Sequence, residues 1–390
     1  MAWMFTNNTC NPFLPDTTPC TLGNYVSYSL NATTVDDVRE AVIFANLFDI
    51  RLVIRATGHD YNGKSTGAGA LSIWAHHLTS ISLIESYRSS AYTGRAVTLE
   101  AEVSSHQAYE FADAKDGMIV GRNCPTVALA GGYSQEGGHG PFSTKFGLAV
   151  DQVLEWKVVT GIGALVTATP TQNSGLFWAL SGGGGGTYGV VLSATIKFHP
   201  AVSSISFATF QFFPPTTEKG VTAYWHTDSA GFGANVSNAN TAGRLLPRSD
   251  VENSTDSFIS IVQTIANNGY LVAGVTLDVN KPVVPGAPEI SVNPYWRKTL
   301  MDAVYGIYFN YTDFSANFQS QNFMRETIGP VLAALTPNGA AYLNEADYQQ
   351  PNWQEVFYSA NYKRLNSIKA KYDPLDRSTL WVPSGVIVGQ

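Results

Sequence analysis

A single histidine lies at the centre of the stretch of this sequence that is best suited to hold a ligand. Residues 55–69 read Arg-Ala-Thr-Gly-His-Asp-Tyr-Asn-Gly-Lys-Ser-Thr-Gly-Ala-Gly and contain four glycines. Glycine-dense backbone lets N–H groups turn toward a ligand and approach it closely. The imidazole of His59 is the side chain here that is suited to nucleophilic or metal chemistry near neutral pH. An apolar run at 50–54 predicts a buried strand that leads into the stretch.

The same stretch matches a nucleotide-binding pattern letter for letter. Gly58 to Ser65 fits G-x-x-x-x-G-K-[ST], the phosphate-binding loop of P-loop hydrolases. That loop requires a helix beginning at its Lys-Ser pair, so that the helix N-terminus faces the phosphates. Here two glycines follow Ser65, each costing about 1 kcal/mol in a helix relative to alanine, and the next run is strand-like. The sequence therefore favours a loop between two strands over a nucleotide hydrolase.

Two further glycine-dense segments follow, at 121–140 and 182–189. The second contains G-x-G-x-x-G, the dinucleotide fingerprint, but that motif must open a helix and the residues after Gly189 alternate like a strand. We therefore interpret it as a tight backbone loop that lies against a cofactor. Taken alone, Cys124 would be a small buried apolar residue and His139 a hydrogen-bonded loop residue. No zinc-type ligand spacing and no G-x-S-x-G nucleophile motif is present.

Composition describes a globular chain and excludes several kinds of partner. The 390 residues are 44% hydrophobic and 14% charged, with a net charge of −7. These values predict two domains, or one large domain with a lobe. The negative charge and the lack of a long basic run argue against nucleic acid and anionic membranes as main partners. No apolar stretch is long enough to span a bilayer.

Cysteines and glycosylation sequons indicate the secretory pathway. Cys10 and Cys20 flank a proline-rich loop and can close a small disulfide. Asn-x-Ser/Thr sequons occur at Asn7, Asn31, Asn235, Asn253 and Asn310. The first residues show no signal peptide, so we expect a trimmed or N-terminally incomplete chain.

Hydrophobic periodicity predicts an α+β protein, because helices interleave with alternating strands without a regular βαβ pattern. Helices are predicted at 35–48, 105–115, 176–180, 318–335 with an interruption at Gly329-Pro330, and 353–371. Strands are predicted at 50–55, 70–74, 96–103, 153–160, 164–169, 189–199, 204–213, 258–265 and 270–279, with a proline-rich break at 282–288.

Several segments together resemble one known family. They are Arg55-x-Thr-Gly-His-Asp-Tyr-x-Gly-x-Ser-Thr-Gly-x-Gly69, Cys124-Pro-Thr-Val with Gly137-Gly-His-Gly140 and Phe146-Gly-Leu-Ala-x-Asp151, Leu176-Phe-Trp-Ala-Leu-x-Gly-Gly-Gly-Gly-Gly-Thr-Tyr-Gly-Val-Val191, and Asn361-Tyr-x-Arg-Leu with Tyr372-Asp-Pro374. In order and spacing they resemble the FAD-linked oxidases of the vanillyl-alcohol oxidase superfamily, in the berberine-bridge-enzyme-like branch. These motifs are most similar to those of the fungal members.

This resemblance implies a PCMH-type FAD-binding domain of two α+β subdomains, formed by residues 22–200 and rejoined by 346–390. A substrate lobe at 201–345 would be built on an antiparallel sheet backed by helices. By position, His59 matches the histidine bonded to the flavin 8α-methyl and Cys124 the cysteine bonded to flavin C6, so the FAD would be bicovalent. The other implied cofactor contacts are Thr57, Gly58, Asp60, Ser65, Gly131, Gly132, Gly137, Gly138, His139, Gly189, Val190, Asn361 and Tyr362.

The reaction that the resemblance implies is hydride transfer from an organic substrate to flavin, with reoxidation by O2 to give hydrogen peroxide. The base is expected among Tyr342, Glu345 and Glu289. Three positions depart from the family pattern, because glycine is usual where this chain has Glu102, Ala128 and Glu136. We expect the last two to flank the flavin, where a glutamate would add bulk and a negative charge.

The function expected from the sequence is oxidation or oxidative cyclisation of a fungal secondary metabolite. An oligosaccharide oxidase of the same fold is the near alternative. A flavin-binding cyclase without net redox chemistry, or a degenerate member of the family, is the alternative from another class. The expected partners are a small-molecule substrate and O2. We expect a monomer that is secreted or lies in a secretory vesicle and binds neither nucleic acid nor membrane.

Overall fold

The computed structural model describes residues 6, 9–11, 13–202, 239–280 and 288–378, together with the backbone of 207–212 and 221–226. Its strands are β1 (Tyr28–Asn31), β2 (Leu52–Arg55), β3 (Leu71–Trp74), β4 (Ile81–Arg88), β5 (Thr93–Glu100), β6 (Gly117–Met118), β7 (Val153–Val159), β8 (Leu165–Ala168), β9 (Val190–Lys197), β10 (His199–Pro200), β11 (Phe207–Phe212), β12 (Val221–His226), β13 (Ala239–Pro247), β14 (Leu271–Thr276) and β15 (Thr299–Tyr308). Its helices are α1 (Val35–Leu47), α2 (Ser105–Asp113), α3 (Ser143–Phe146), α4 (Ser174–Leu180), α5 (Arg248–Asn253), α6 (Thr255–Asn267), α7 (Phe314–Phe323), α8 (Gly329–Leu335), α9 (Trp353–Tyr358) and α10 (Tyr362–Tyr372).

A small parallel sheet positions the glycine-rich stretch around His59. Its order is β1-β3-β2, and helix α1 packs on it through a buried apolar stripe. The helix begins where Thr34 and Asp37 form a reciprocal capping box, which lowers the pKa of Asp37 to about 2 through backbone N–H bonds. Strand β2 ends at Arg55, so the stretch leaves the carboxyl edge of a parallel sheet, where ligands commonly bind.

The two later glycine-dense segments lie next to the largest sheet. It is antiparallel with the order β4-β5-β9-β7-β8, and only the last residue of its central strand, β9, is not buried. The predicted hairpin of β7 and β8 is confirmed. Gly189 enters β9 with a φ of +144°, and a Cβ there would lie 2.6 Å from the Val159 carbonyl oxygen. Close packing between strands therefore explains this glycine, and no helix follows the G-x-G-x-x-G segment.

A third sheet, β13-β15-β14, is antiparallel and packs against helices α6 and α8. The predicted strand at 258–265 is wrong, because these residues lie in helix α6. Its β-branched run suggested a strand, but Phe258, Ile261 and Ile265 recur at helical spacing and face the core beneath the sheet. Strand β15, the central strand, was not predicted at all.

The helical interruptions have identifiable causes. Between α7 and α8 the chain makes a wider turn, in which the Gly329 N–H donates to the carbonyl of Met324, five residues earlier. Pro330, at the first positions of α8, supplies no N–H, so the expected interruption at Gly329-Pro330 is confirmed. The predicted helix at 353–371 is likewise divided, since Ser359 between α9 and α10 has a φ of +51°.

Other predictions can be compared directly. Mixed helices and antiparallel sheets confirm the α+β class, and Cys10 and Cys20 form a disulfide. Within the described residues, no helix has the length and apolar character that crossing a membrane requires. Strand β11 confirms most of the strand predicted at 204–213, whereas 203–206 and most of the proline-rich break at 282–288 lie outside the described residues.

Candidate active site

The loop after β2 presents a row of free backbone donors. From Thr57 to Tyr61, no backbone N–H makes a hydrogen bond to any described residue, and Gly58 adopts a left-handed φ of +80°. The Asp60 carboxylate closes the loop by accepting the N–H groups of Asn62 at 3.1 Å and Lys64 at 2.5 Å. No helix begins at Lys64, which excludes the P-loop interpretation. Consecutive free amides around a left-handed glycine form an anion-binding concavity.

His59 and Cys124 converge on a single hydroxyl group. His59 Nε2 lies 2.8 Å from Thr126 Oγ1, and Cys124 Sγ lies 3.7 Å from the same oxygen. Burial, together with the positive charge of Arg122, lowers the pKa of His59, so its imidazole is neutral and nucleophilic at pH 7. Cys124 is a free thiol and is partly exposed. The fold therefore places an imidazole nitrogen and a thiol from two different loops at one edge of the site.

A charged cluster of Arg122, His139, Asp302 and Glu345 lies buried beside them. Arg122 donates to Glu345 and to His139 Nε2, the latter at 2.8 Å. His139 Nε2 also lies 3.3 Å from Glu345 and 3.4 Å from Asp302. Since the guanidinium has only donors, His139 Nε2 must be the acceptor and the imidazole is neutral. Burial and the charge of Arg122 lower the pKa of His139, in agreement with this assignment.

The two carboxyl groups of this cluster differ in charge. Although burial opposes it, the charge of Arg122 holds the pKa of Glu345 well below its usual range. Burial, and then the negative charge of Glu345, raise the pKa of Asp302 well above its usual range. Neither Asp302 oxygen has a hydrogen-bond partner in the described part of the chain. The cluster therefore contains one cation, one carboxylate and one neutral carboxylic acid.

His139, Asp302 and Glu345 also have the geometry of a metal-binding group, with one donor atom from each within 4.8 Å of the others. The guanidinium of Arg122 already donates to two of these three donor atoms. A divalent cation there would displace those bonds and be repelled by the fixed positive charge. The donor set is therefore better suited to an arginine than to a metal.

Tyr342 borders the cluster from the interior. Its ring packs edge-on against His139 and Trp296, and its hydroxyl accepts a hydrogen bond from Asn344 Nδ2 at 2.7 Å. Burial raises the pKa of Tyr342 well above 10, while Arg122 opposes this shift. Asn344 Nδ2 also lies 3.5 Å from the Gly132 carbonyl oxygen. Tyr342 is thus held next to the second glycine-dense segment.

An ion pair connects the three glycine-dense segments. Lys64 Nζ donates to Glu136 Oε1 at 2.7 Å, and the Gly185 N–H donates to the same oxygen at 3.0 Å. Glu136 was expected to add bulk and a negative charge beside the flavin, and in the structure its carboxylate is paired with Lys64. Of the other two departures, Glu102 pairs with His76 at 3.4 Å, and Ala128 is buried in a bridge with Ser104.

The remaining implied residues lie in different surroundings. Glu289 does not join the site, because its carboxylate is 74% exposed and pairs with Arg364. Asn361 donates to the Ser291 carbonyl oxygen at 3.0 Å, and Tyr362 packs against Trp353 and Tyr358. Gly137, Gly138 and Gly189 have positive φ angles, which glycine adopts without strain, and Val190 pairs with Val159 of β7. Ser65 is buried in the first loop, and Gly131 lies close to Ala56 and Ala128.

Sequence reasoning missed Arg122, Thr126, Asn344, Lys64 and Asp302 as members of the site. Arg122 and Thr126 flank Cys124, and Asn344 lies between Tyr342 and Glu345, so proximity to the predicted residues was the available indication. Lys64 was considered only as part of the phosphate-loop pattern. Asp302 carried no indication, because it lies in the unpredicted strand β15.

The residues present fit flavin adenine dinucleotide. The free amides from Thr57 to Tyr61 suit its diphosphate. A Cβ built at Gly132 would meet no atom within 4 Å, so a planar ring can approach the backbone there. The neutral imidazole of His59 and the thiol of Cys124 are the side chains able to bond to an electron-poor flavin.

Comparison with known proteins agrees with this fit. A model of the FAD binding domain matches residues 26–169, and a model named berberine and berberine like matches 341–376. The FAD-linked oxidoreductase sor8 of Hypocrea jecorina is 38% identical, with 96% of this chain aligned to 77% of that protein.

Solved structures show the same fold. The VAO-type flavoprotein MtVAO615 of Myceliophthora thermophila C1 superposes with a TM-score of 0.88 at 33% identity, covering 97% of this chain and 83% of that one. The glucooligosaccharide oxidase of Acremonium strictum, which carries 6-S-cysteinyl, 8α-N1-histidyl FAD, superposes with a TM-score of 0.69 at 15% identity, covering 93% of this chain and 92% of that one. Free loop amides, two nucleophiles at one edge and these relatives lead to one conclusion: the chain belongs to the FAD-linked oxidoreductases of the vanillyl-alcohol oxidase superfamily, in the berberine-bridge-enzyme-like branch.

Proposed function

We propose that this FAD-linked enzyme is an oxidase whose FAD is bonded to both His59 and Cys124. The observation that carries the proposal is the convergence of His59 Nε2 and Cys124 Sγ on the Thr126 hydroxyl. Two nucleophilic atoms at one point suit two neighbouring positions on the edge of one flavin ring. The same two residue types hold FAD in the glucooligosaccharide oxidase of similar fold.

Different residues of this chain would hold different parts of the cofactor. Backbone amides of Thr57 to Tyr61 would bind the diphosphate, and the open backbone at Gly132 would receive the ring. When bound, FAD supplies a two-electron acceptor that O2 reoxidises with release of hydrogen peroxide. Arg122 provides a fixed positive charge beside the attachment residues, held in place by Glu345.

We assign the exchange of the substrate proton to Tyr342 rather than to Glu345 or Glu289. Glu345 is the counterion of Arg122 and its pKa is too low for a general base at neutral pH. Glu289 is at the surface. The N–H of Asn344 and the charge of Arg122 both stabilise a Tyr342 phenolate, which offsets part of the cost of its burial.

This assignment predicts the effect of Tyr342→Phe. The variant should slow anaerobic flavin reduction by substrate roughly 10²- to 10⁴-fold, because it removes a general acid–base group. Its flavin content should be unchanged. Tyr308→Phe, at a tyrosine that is 70% exposed on β15, is the control and should leave reduction unaffected. Equal reduction rates for Tyr342→Phe and the unmodified protein would contradict the assignment.

The proposed substrate class is a fungal secondary metabolite that undergoes oxidation or oxidative cyclisation, since the relatives that cover most of this chain are fungal FAD-linked oxidoreductases. An oligosaccharide oxidase is the second candidate, favoured by the likeness in fold to oligosaccharide oxidases. A cyclase without net redox chemistry is the third. Fold alone does not distinguish these activities.

Stopped-flow reduction separates the candidates. Purified protein is mixed anaerobically with phenolic and alcoholic metabolites or with oligosaccharides, the flavin absorbance is followed, and O2 is then admitted while peroxide is measured. The proposal predicts bleaching by a metabolite and one peroxide per reoxidised flavin. Bleaching by oligosaccharides alone favours the second candidate, and substrate conversion without bleaching or peroxide favours the third.

We further propose that the protein is monomeric and passes through the secretory pathway, with a cofactor domain at 22–200 and 346–390 and a substrate lobe at 201–345. The Cys10–Cys20 disulfide and the exposure of the described sequon asparagines, Asn31, Asn253 and Asn310, support the compartment. Loss of apparent mass after glycosidase treatment of the natively produced protein would test the compartment. Light scattering would test the monomer, and a dimer mass would contradict it.

A further inference from the structure

Glu136 has one carboxylate oxygen that is satisfied and one that is not. Its Oε1 accepts hydrogen bonds from Lys64 Nζ at 2.7 Å and from the Gly185 N–H at 3.0 Å. Its Oε2 is buried and has no hydrogen-bond partner among the described residues, and the residue is 4% exposed. A buried carboxylate oxygen without a donor destabilises the folded protein, so such an atom requires a partner.

Glu136 is connected through Gly185 to the backbone of the second loop. Gly185 packs against the second loop, because a Cβ there would lie 2.7 Å from the Gly132 Cα. Gly132 itself faces open space, with no atom within 4 Å of a Cβ built on it. Asn344 Nδ2, which holds the Tyr342 hydroxyl, lies 3.5 Å from the Gly132 carbonyl oxygen. Through Gly185, the carboxylate of Glu136 is therefore held beside the Gly132 backbone, which faces the space that the fit to FAD assigns to the ring.

A carboxylate oxygen binds hydrogen-bond donors. Lys64 Nζ lies near two carboxylates, Glu136 at 2.7 Å and Asp60 at 3.7 Å, and it donates to Oε1 of Glu136, so Oε2 is left to accept from another donor. The ribityl hydroxyls and the ring N–H are the uncharged donors of FAD in this part of the site.

We propose that Glu136 is a cofactor-binding residue whose Oε2 accepts a hydrogen bond from a hydroxyl or N–H of FAD. Lys64 and the Gly185 N–H both donate to Oε1, which holds the carboxylate in place and leaves Oε2 for the cofactor. The inference rests on FAD binding at His59 and Cys124 as proposed above. Glutamate stands where the family pattern has glycine, so the contact distinguishes this chain from that pattern.

The proposal can be separated from a purely structural role by comparing two states of one protein. A structural ion pair stabilises the apoprotein and the FAD-bound protein alike. A carboxylate that lacks a partner until FAD arrives has the opposite effect on the two states, because it destabilises the apoprotein and strengthens FAD binding.

The experiment uses the full chain with His59→Ala and Cys124→Ala, in which FAD binding is reversible and can be titrated. Lys64→Met with Glu136→Leu replaces the ion pair by apolar side chains of similar volume. Glu136→Gln, which retains an amide oxygen, is the conservative variant. Glu102→Gln is the matched control, because Glu102 is also buried with an unpartnered Oε2 but pairs with His76. The melting temperature without FAD and the FAD dissociation constant are measured for each protein.

The proposal predicts that the Lys64→Met and Glu136→Leu protein melts no lower than its parent without FAD and binds FAD roughly tenfold to a hundredfold more weakly. Glu136→Gln should lose less affinity, and Glu102→Gln less than about threefold. An unchanged FAD dissociation constant, or equal destabilisation of both states, would overturn the proposal. An unmodified protein that carries no FAD overturns the proposed function, and with it this contact.

Discussion

Two neighbouring regions of the site are built in opposite ways. The attachment edge, formed by His59, Cys124 and Thr126, is partly exposed, and none of its three side chains forms an ion pair with the part of the chain that the structure describes. The charged cluster of Arg122, His139, Asp302 and Glu345 is largely buried, and short polar contacts connect its members. The nucleophiles are thus left free to react, while the charges that influence them are fixed in advance. Such pre-organisation of charge, with little motion at the moment of reaction, is what electrostatic catalysis requires.

The largest difference between the two regions should appear in stability. Arg122→Met leaves the Glu345 carboxylate buried without its cation, which should lower the free energy of unfolding by about 3–5 kcal/mol. Arg248→Met is the control, since Arg248 forms an exposed i,i+4 pair with Glu252 and its removal should cost less than about 1 kcal/mol. Urea denaturation followed by fluorescence measures both. Similar losses for the two variants would show that the charged cluster is no more than a surface ion pair.

The neutral carboxylic acid in the charged cluster should appear in the pH dependence of stability. Because the pKa of Asp302 is raised in the folded protein, the unfolded chain releases this proton above pH 3.8 while the folded chain keeps it. Its contribution to stability is therefore present at low pH and is lost as pH rises. Above pH 3.8, the unmodified protein should therefore lose stability relative to Asp302→Asn, by at most about 1.4 kcal/mol per pH unit, until the pH reaches the raised pKa of Asp302.

The contribution of Glu345 to stability depends on pH in the opposite direction, because its lowered pKa gives stability that is present above pH 4.5 and lost below it. The Asp302→Asn variant retains this contribution of Glu345. The difference between the two proteins in urea denaturation, measured at several pH values, therefore isolates Asp302. Parallel pH profiles for the two proteins would mean that Asp302 is ionised.

The smallest stability effect is expected at the attachment edge. Thr126→Val removes the hydroxyl that His59 and Cys124 share while keeping the shape of the side chain. One hydrogen bond in a partly exposed setting contributes about 0.5–1.5 kcal/mol, so the loss in urea denaturation should fall in that range. A loss equal to that of Arg122→Met would remove the contrast between the two regions.

The sequence predicted best what is decided locally. The helices predicted to begin at residues 35 and 105 do begin there, after capping boxes at Thr34 and Ser104, because a cap depends on residues three apart. His59 was proposed from its glycine-rich stretch and Cys124 from the family resemblance, and the structure brings both side chains to Thr126. The helix at Thr255–Asn267 was assigned wrongly, since its short β-branched run fits a strand equally well until the core beneath the third sheet is known.

The residues that the sequence did not identify depend on contacts between distant segments. Lys64 meets Glu136 only because two loops of different sheets face each other, so a glutamate that looked unfavourable beside a flavin is in fact paired. Asp302 reaches His139 and Glu345 from β15, a strand whose mixed composition gave no clear alternation. Neither contact leaves a trace in local periodicity or spacing.

The mass of the intact, acid-denatured protein tests most directly whether His59 and Cys124 together hold the cofactor. The protein produced with FAD should carry the added mass of one FAD, and its precipitate should remain yellow. Either single variant, His59→Ala or Cys124→Ala, should keep the flavin by the remaining bond, and the double variant should release all of it. Retention of flavin by the double variant, or complete release by the unmodified protein, would contradict attachment at these two residues.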